Sequence, residues 1–231
     1  MFPLWDEMPT RKIPVITIIL IIINVLAYYY QVFVVNDNLQ FIYAYGLVPL
    51  QITRGVDIFP YGPSPVYLTL FSSMFMHGSF VHLFGNMLYL WIFGNNIEDY
   101  LGKLIFTLFY IFCGIFAAAI QILISPYSTT PMIGASGAVA GILGAYFILF
   151  PRSRITTLIF FGFFIRLIKM PAIFVLGLWI IFQLFYGLSN LSLEAANSGV
   201  AWFAHIGGFV GGILFLKMFR YRKRNRYFLS I

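Results

Sequence analysis

From Leu104 to Pro151 the chain carries no charged side chain. Four more stretches share that property: Ile13 to Asn36, Ile58 to Ile97, Met170 to Leu193 and Ala195 to Leu216. A soluble domain devotes about 25% of its residues to charge. This chain has 9% charged and 61% apolar residues, so it cannot cover a water-facing surface. An integral membrane protein is the class that remains.

A spanning helix needs roughly 20 apolar residues. The stretch from Leu104 to Pro151 is long enough for two, and Ser125-Pro126-Tyr127-Ser128-Thr129-Thr130-Pro131 breaks it with turn chemistry. The pattern predicts an all-α polytopic protein, one membrane domain over 1–231. Its six transmembrane helices lie at about 13–33, 81–101, 103–124, 136–150, 170–187 and 200–217. The segment 36–80, rich in Pro, Gly and aromatics, is expected to lie in the outer interface.

Basic residues set the orientation. With both termini cytoplasmic, Arg11, Lys12, Lys103, Arg152, Arg154, Arg166, Lys169, Lys217 and the tail from Arg220 to Arg226 all fall inside. Of the 14 Lys and Arg, only Arg54 is left outside, which is the split that the positive-inside rule requires. The net charge of +7 is therefore spent on membrane flanks and argues against a nucleic-acid partner. The single cysteine, Cys113, excludes an internal disulfide and a cysteine-built metal site. The first span reads as an uncleaved anchor, and no Arg- and Ser-rich leader precedes it, which points to a cell (plasma or inner) membrane.

Polar residues inside apolar spans are the functional candidates. His82 and Asn86 stand four apart on one face of the second span, Ser136 opens the fourth, and His205 lies near the start of the sixth. These three spans run in the same direction, so the four groups share one depth near the extracytoplasmic side. The fourth span is short, about 22 Å at ~1.5 Å per residue against a ~30 Å hydrocarbon core, so Ser136 is expected below the surface with access to water.

Gly134-Ala135-Ser136-Gly137 places the serine at a helix N-terminus, where free N–H groups favour a developing oxyanion. A serine hydroxyl needs a base, and His205 is the natural one. His82 and Asn86 can donate to the intermediate's oxygen. No carboxylate lies at that depth, since Glu98 and Asp99 sit at the opposite end of the second span, so a dyad is expected. Gly137 and Gly141, with Gly208 and Gly212, form small-xxx-small patterns that let the fourth and sixth spans approach closely. Singly, each signal has a bland reading as helix packing or interhelical hydrogen bonding; their conjunction carries the inference. His77 reads equally well as structural or as part of the site.

Together these residues resemble the rhomboid intramembrane serine proteases. The matching elements are His77, His82-x-x-x-Asn86, Glu98-x-x-x-Gly102, Gly134-Ala135-Ser136-Gly137 and the run from His205 to Gly212. The resemblance covers nearly the whole chain and implies a minimal six-helix core of the bacterial type. It implies Ser136 as nucleophile, His205 as base, and His82, Asn86 and the Ser136 backbone N–H as oxyanion donors. Gly134, Gly137, Gly208, Gly212 and His77 would support them. It also implies single-span membrane proteins as substrates, no cofactor and no metal, with the fifth helix and the loop around 188–199 as gate and cap. Two positions depart from the family pattern. Ala140 replaces an aromatic that would stack on the histidine, leaving Tyr146 and Trp202 as candidates to orient His205. In the first loop, Thr53-Arg54 is the nearest approach to the family's Trp-Arg pair.

The rivals are weaker. A zinc protease needs His-Glu-x-x-His and an aspartyl protease needs intramembrane aspartates; neither pattern is present. A small transporter would explain buried polar groups but not their confinement to one leaflet. An inactive, rhomboid-like binder of membrane segments stays open as the alternative; loss of Ser136 or His205 would signal it, and both are present.

Overall fold

The computed structural model describes residues 2–56, 59, 62, 63, 65–161, 164–191 and 200–218. Asp57, Glu194, residues 192–199 of the expected cap and the basic cluster from Arg220 to Arg226 lie outside the described residues.

Ten α-helices are described. In chain order they are α1 (Val15–Phe33), α2 (Asn38–Tyr45), α3 (Pro49–Arg54), α4 (Thr69–Ser72), α5 (Phe80–Tyr89), α6 (Asn95–Leu101), α7 (Lys103–Ile124), α8 (Ser136–Leu149), α9 (Ala172–Ser189) and α10 (Trp202–Met218). A π-helical turn, Leu90–Gly94, joins α5 to α6 into one stretch over 80–101. Each expected span thus coincides with a helical stretch to within two residues at either end. Three of them, α1, α7 and α9, are long and apolar enough to cross a membrane; α8 and α10 are shorter apolar helices. The segment 36–80 is largely made of short helices: α2, α3 and the run Val66–Phe75 that contains α4.

The all-α expectation needs one correction. Strands β1 (Phe2–Asp6), β2 (Arg154–Phe161) and β3 (Phe164–Pro171) form an antiparallel sheet in the order β1-β2-β3. Asp6 pairs with Ile155, and Arg154 with Pro171. The run Ile155-Thr156-Thr157-Leu158-Ile159 is of the β-branched and aliphatic type that suits a pleated surface. Its flanking basic residues read in the sequence as a connection between helices, and that reading hides the strand signal. The chain is therefore mostly helical, with a small sheet at the ends of α8 and α9 remote from Ser136.

Local chemistry explains the joints. The buried Glu98 carboxylate accepts hydrogen bonds from the N–H groups of Ile16 (2.9 Å) and Thr17 (2.8 Å) and from the Thr17 hydroxyl (2.8 Å). It caps the first turn of α1, where donors have no partner within the helix and the helix dipole favours an anion. Gly102 at φ 82° turns the chain from α6 into α7. At the centre, α8 is buried without interruption from Ala138 to Tyr146, which marks it as a core helix enclosed on all sides. The α8–α10 contact is backbone on backbone. A Cβ on Gly208 would run into the Gly137 carbonyl oxygen, and one on Gly212 into that of Gly141. Small residues at these points set how closely the two helices lie.

Candidate active site

The approach to α8 is held from two sides. Leu47 and Met132 exchange backbone hydrogen bonds of 3.0 and 2.7 Å, and the Gly134 N–H donates to the Ser73 carbonyl at 2.8 Å. Gly134 sits at φ 119°, a region that side chains other than glycine rarely enter, and a Cβ there would lie 2.8 Å from the His82 ring. This backbone turn delivers Ser136 as the first residue of α8, so the N–H groups of its first turn face the serine.

Ser136 Oγ lies 2.9 Å from His205 Nε2, a hydrogen bond between α8 and α10. The close α8–α10 approach makes that distance possible. The other ring nitrogen, His205 Nδ1, lies 2.7 Å from Gln183 Oε1 on α9. Trp179, one turn earlier on α9, has its ring centre 6.0 Å from that of His205, and Trp202 meets the ring edge-on at 6.3 Å. Of the two side chains expected to orient the histidine, Trp202 is a neighbour and Tyr146 is not. The Tyr146 hydroxyl instead donates to Asp6 Oδ2 at 2.6 Å, at the opposite end of α8. Gln183 was not among the expected residues.

His82 and Asn86 reach the site from α5. The Ser79 hydroxyl caps this helix by accepting from the His82 N–H at 3.1 Å. A cavity of about 520 Å³ is lined by His82, Asn86, Gly134, Ser136, Gly137 and His205, among others. Asn86 Nδ2 is buried and has no hydrogen-bond partner among the described residues. His77 is fully buried with its ring 5.0 Å from that of His82. Its backbone is clasped by Gln31, which donates to the His77 carbonyl at 2.7 Å and accepts from its N–H at 3.2 Å. Gln121 accepts from the Ala204 N–H at 3.2 Å, next to the histidine. No group of three or more potential metal ligands occurs among the described residues.

A family model for the Rhomboid domain matches residues 65–222, well over half of the chain. The chain belongs to the rhomboid family. Among curated proteins, this rhomboid is 29% identical over 157 residues to "Rhomboid protein 1, mitochondrial" of Saccharomyces cerevisiae, covering 64% of this chain and 40% of that protein. It is 33% identical over 143 residues to "Rhomboid protease GluP" of Bacillus subtilis, covering 62% of this chain and 24% of that protein. It is also 27% identical over 163 residues to "Putative rhomboid protease YdcA" of the same organism, covering 68% and 70%. The chain thus spans less than half the length of the first two relatives.

Trp179 and Gln183 beside His205, and Gln31 and Gln121 on the backbone of His77 and Ala204, are residues around the site that the sequence pattern does not bring forward. A signal for the glutamines was present. Each stands in the C-terminal half of a long apolar helix: Gln31 in α1, Gln121 in α7 and Gln183 in α9.

Proposed function

We propose that this rhomboid is an intramembrane serine endopeptidase that cuts transmembrane segments of single-span membrane proteins near the extracytoplasmic face. Supporting this reading is one observation above all: the 2.9 Å contact of Ser136 Oγ with His205 Nε2, at a helix N-terminus that opens on a cavity. In the same reading the six helical stretches all cross a cell membrane, with both termini cytoplasmic.

The reaction follows from the groups at hand. Ser136 Oγ adds to the scissile carbonyl carbon while its proton passes to His205 Nε2. The carbonyl oxygen becomes an oxyanion, stabilised by the Ser136 N–H and by donors from His82 and Asn86. His205 then gives its proton to the leaving nitrogen, the C–N bond breaks, and an ester to Ser136 remains. A water molecule, deprotonated by His205, attacks the ester, releases the acid and restores the serine. These steps need no cofactor. Ser136 and His205 are half-buried, and the cavity beside them gives water the access that the second half requires.

The test uses the full chain in detergent with a fluorophosphonate probe and peptide mapping of the label. Labelling should fall on Ser136 and vanish in both Ser136→Ala and His205→Ala, with the thermal midpoint unchanged. A folded wild-type chain that does not label would favour an inactive binder of membrane segments or a transport role.

A further inference from the structure

We propose that Gln183 is the positioning residue that fixes the tautomer of His205, so that the second ring nitrogen of the base is hydrogen-bonded from α9, a helix that carries neither member of the dyad. The inference deepens the serine-protease reading and rests on it for its catalytic meaning. Its structural core is independent of that reading.

A neutral imidazole has one N–H and one lone pair, and the partner of one nitrogen decides the role of the other. To take a proton from Ser136, Nε2 must present its lone pair, which requires the proton on Nδ1. Gln183 Oε1, 2.7 Å from Nδ1, is an acceptor and stabilises that form. The opposite amide orientation would aim an NH₂ at Nδ1 and force the proton onto Nε2. The ring would then donate to the serine and could not act as its base.

Gln183 is buried, so its carbonyl gains little from water as an alternative donor. Of the two ring neighbours, Trp179 comes from α9 and Trp202 from α10. Trp179 and Gln183 are four residues apart on one face of α9, and both meet His205. Ala140, one turn after Ser136, is fully buried and too small to support the ring from α8. A carboxamide also differs from a carboxylate in one measurable respect: it orients the ring with a dipole in place of a full charge, and so stabilises the imidazolium less.

The chain has three histidines, so ring ¹⁵N shifts of histidine-labelled protein can be assigned by comparison with His205→Ala. In the wild type, His205 should be the neutral Nδ1–H tautomer, and Gln183→Leu should convert it to a mixture or to the Nε2–H form. In the labelling assay, Gln183→Leu should slow the maximal rate by roughly 10- to 100-fold, the range for loss of an orienting partner. That is well short of the ~10⁴ that a forced wrong tautomer costs in a serine protease. Probe affinity should not change. Gln183→Glu should keep the wild-type tautomer and move the acidic limb of the pH–rate profile upward, because a carboxylate stabilises imidazolium. That shift requires residue 183 to face Nδ1 of the ring, whereas a residue that only fills space nearby would leave the limb in place. The Nε2–H form in the wild type, or an unchanged tautomer in Gln183→Leu, would overturn the inference. So would an unmoved acidic limb in Gln183→Glu. A wild type with the Nδ1–H tautomer but no labelling would instead count against the protease reading and leave the positioning role supported.

Discussion

Helix α8 carries polar groups at both ends, and the two ends are built in opposite ways. At the Tyr146 end the groups around Asp6 and Glu98 satisfy one another, although Thr156 Oγ1 in the adjoining sheet is buried without a partner among the described residues. Asp6 accepts from the Tyr146 hydroxyl at 2.6 Å and from Asn96 at 2.8 Å, Ser153 lies 3.0 Å from the same hydroxyl, and Glu98 nearby accepts three hydrogen bonds. At the Ser136 end, Asn86 Nδ2 and both ring nitrogens of His77 are buried without a partner among the described residues. A buried donor or acceptor without a partner costs about 1–3 kcal/mol, whereas a satisfied one contributes modestly to stability. The far end therefore holds the bundle. In the proposed reaction, the serine end leaves the Asn86 amide free for an oxygen that exists only while a substrate reacts, a cost in stability of the sort that functional sites carry.

That contrast can be broken in three places. The largest effect belongs to Asn86→Ala, which should lower the rate by about 10²–10³, the cost of one oxyanion donor. The thermal midpoint should hold or rise, because an unpaired buried amide is removed. Rate and unfolding measured on the same preparation check this, and a variant with wild-type rate would remove Asn86 from the machinery.

Glu98→Ala should do the reverse. Two backbone N–H groups and a hydroxyl lose their acceptor, so stability should fall by roughly 2–5 kcal/mol, while the rate per folded molecule stays the same. Denaturant titration with active-site counting separates the two quantities.

The smallest effect is a pH dependence at Asp6. Burial holds its carboxyl at about 6, above the ordinary 3.8, although the hydrogen bonds from Tyr146 and Asn96 pull it down. Between about pH 4 and 6 the folded chain thus keeps a proton that the unfolded chain has released. The contribution of Asp6 to stability therefore falls as pH rises through that window, then levels off. Asp6→Asn cannot titrate, so its thermal midpoint should gain on the wild type as pH increases from 4 to 6. Parallel curves would show that Asp6 does not titrate differently in the fold.

Some of this was legible in the chain alone. The six helical stretches follow from uncharged length, because a helix satisfies its own backbone and so can be read locally. Ser136, His205, His82 and Asn86 stood out because each is polar where its neighbours are apolar. The β1–β2 pairing was hidden because the two strands are separated by most of the chain, whereas the β2–β3 hairpin is local and hidden only because its basic residues read as a loop between helices. Gln183 was hidden for a related reason. A single glutamine near a helix end looks like ordinary polar relief until the helix opposite is known.

The sequence by itself determined where the chain becomes helical and which side chains carry reactive or polar chemistry, since both depend on hydropathy and residue type. Only the tertiary structure decided that Gln183, rather than Tyr146 or a neighbour on α8, meets His205. The same is true of Tyr146 and Asp6, which join 140 positions apart. Such pairings depend on how closely α8 and α10 pack and on how α9 is rotated against them. Those are properties of many small contacts summed across the bundle, and no single stretch of sequence contains them.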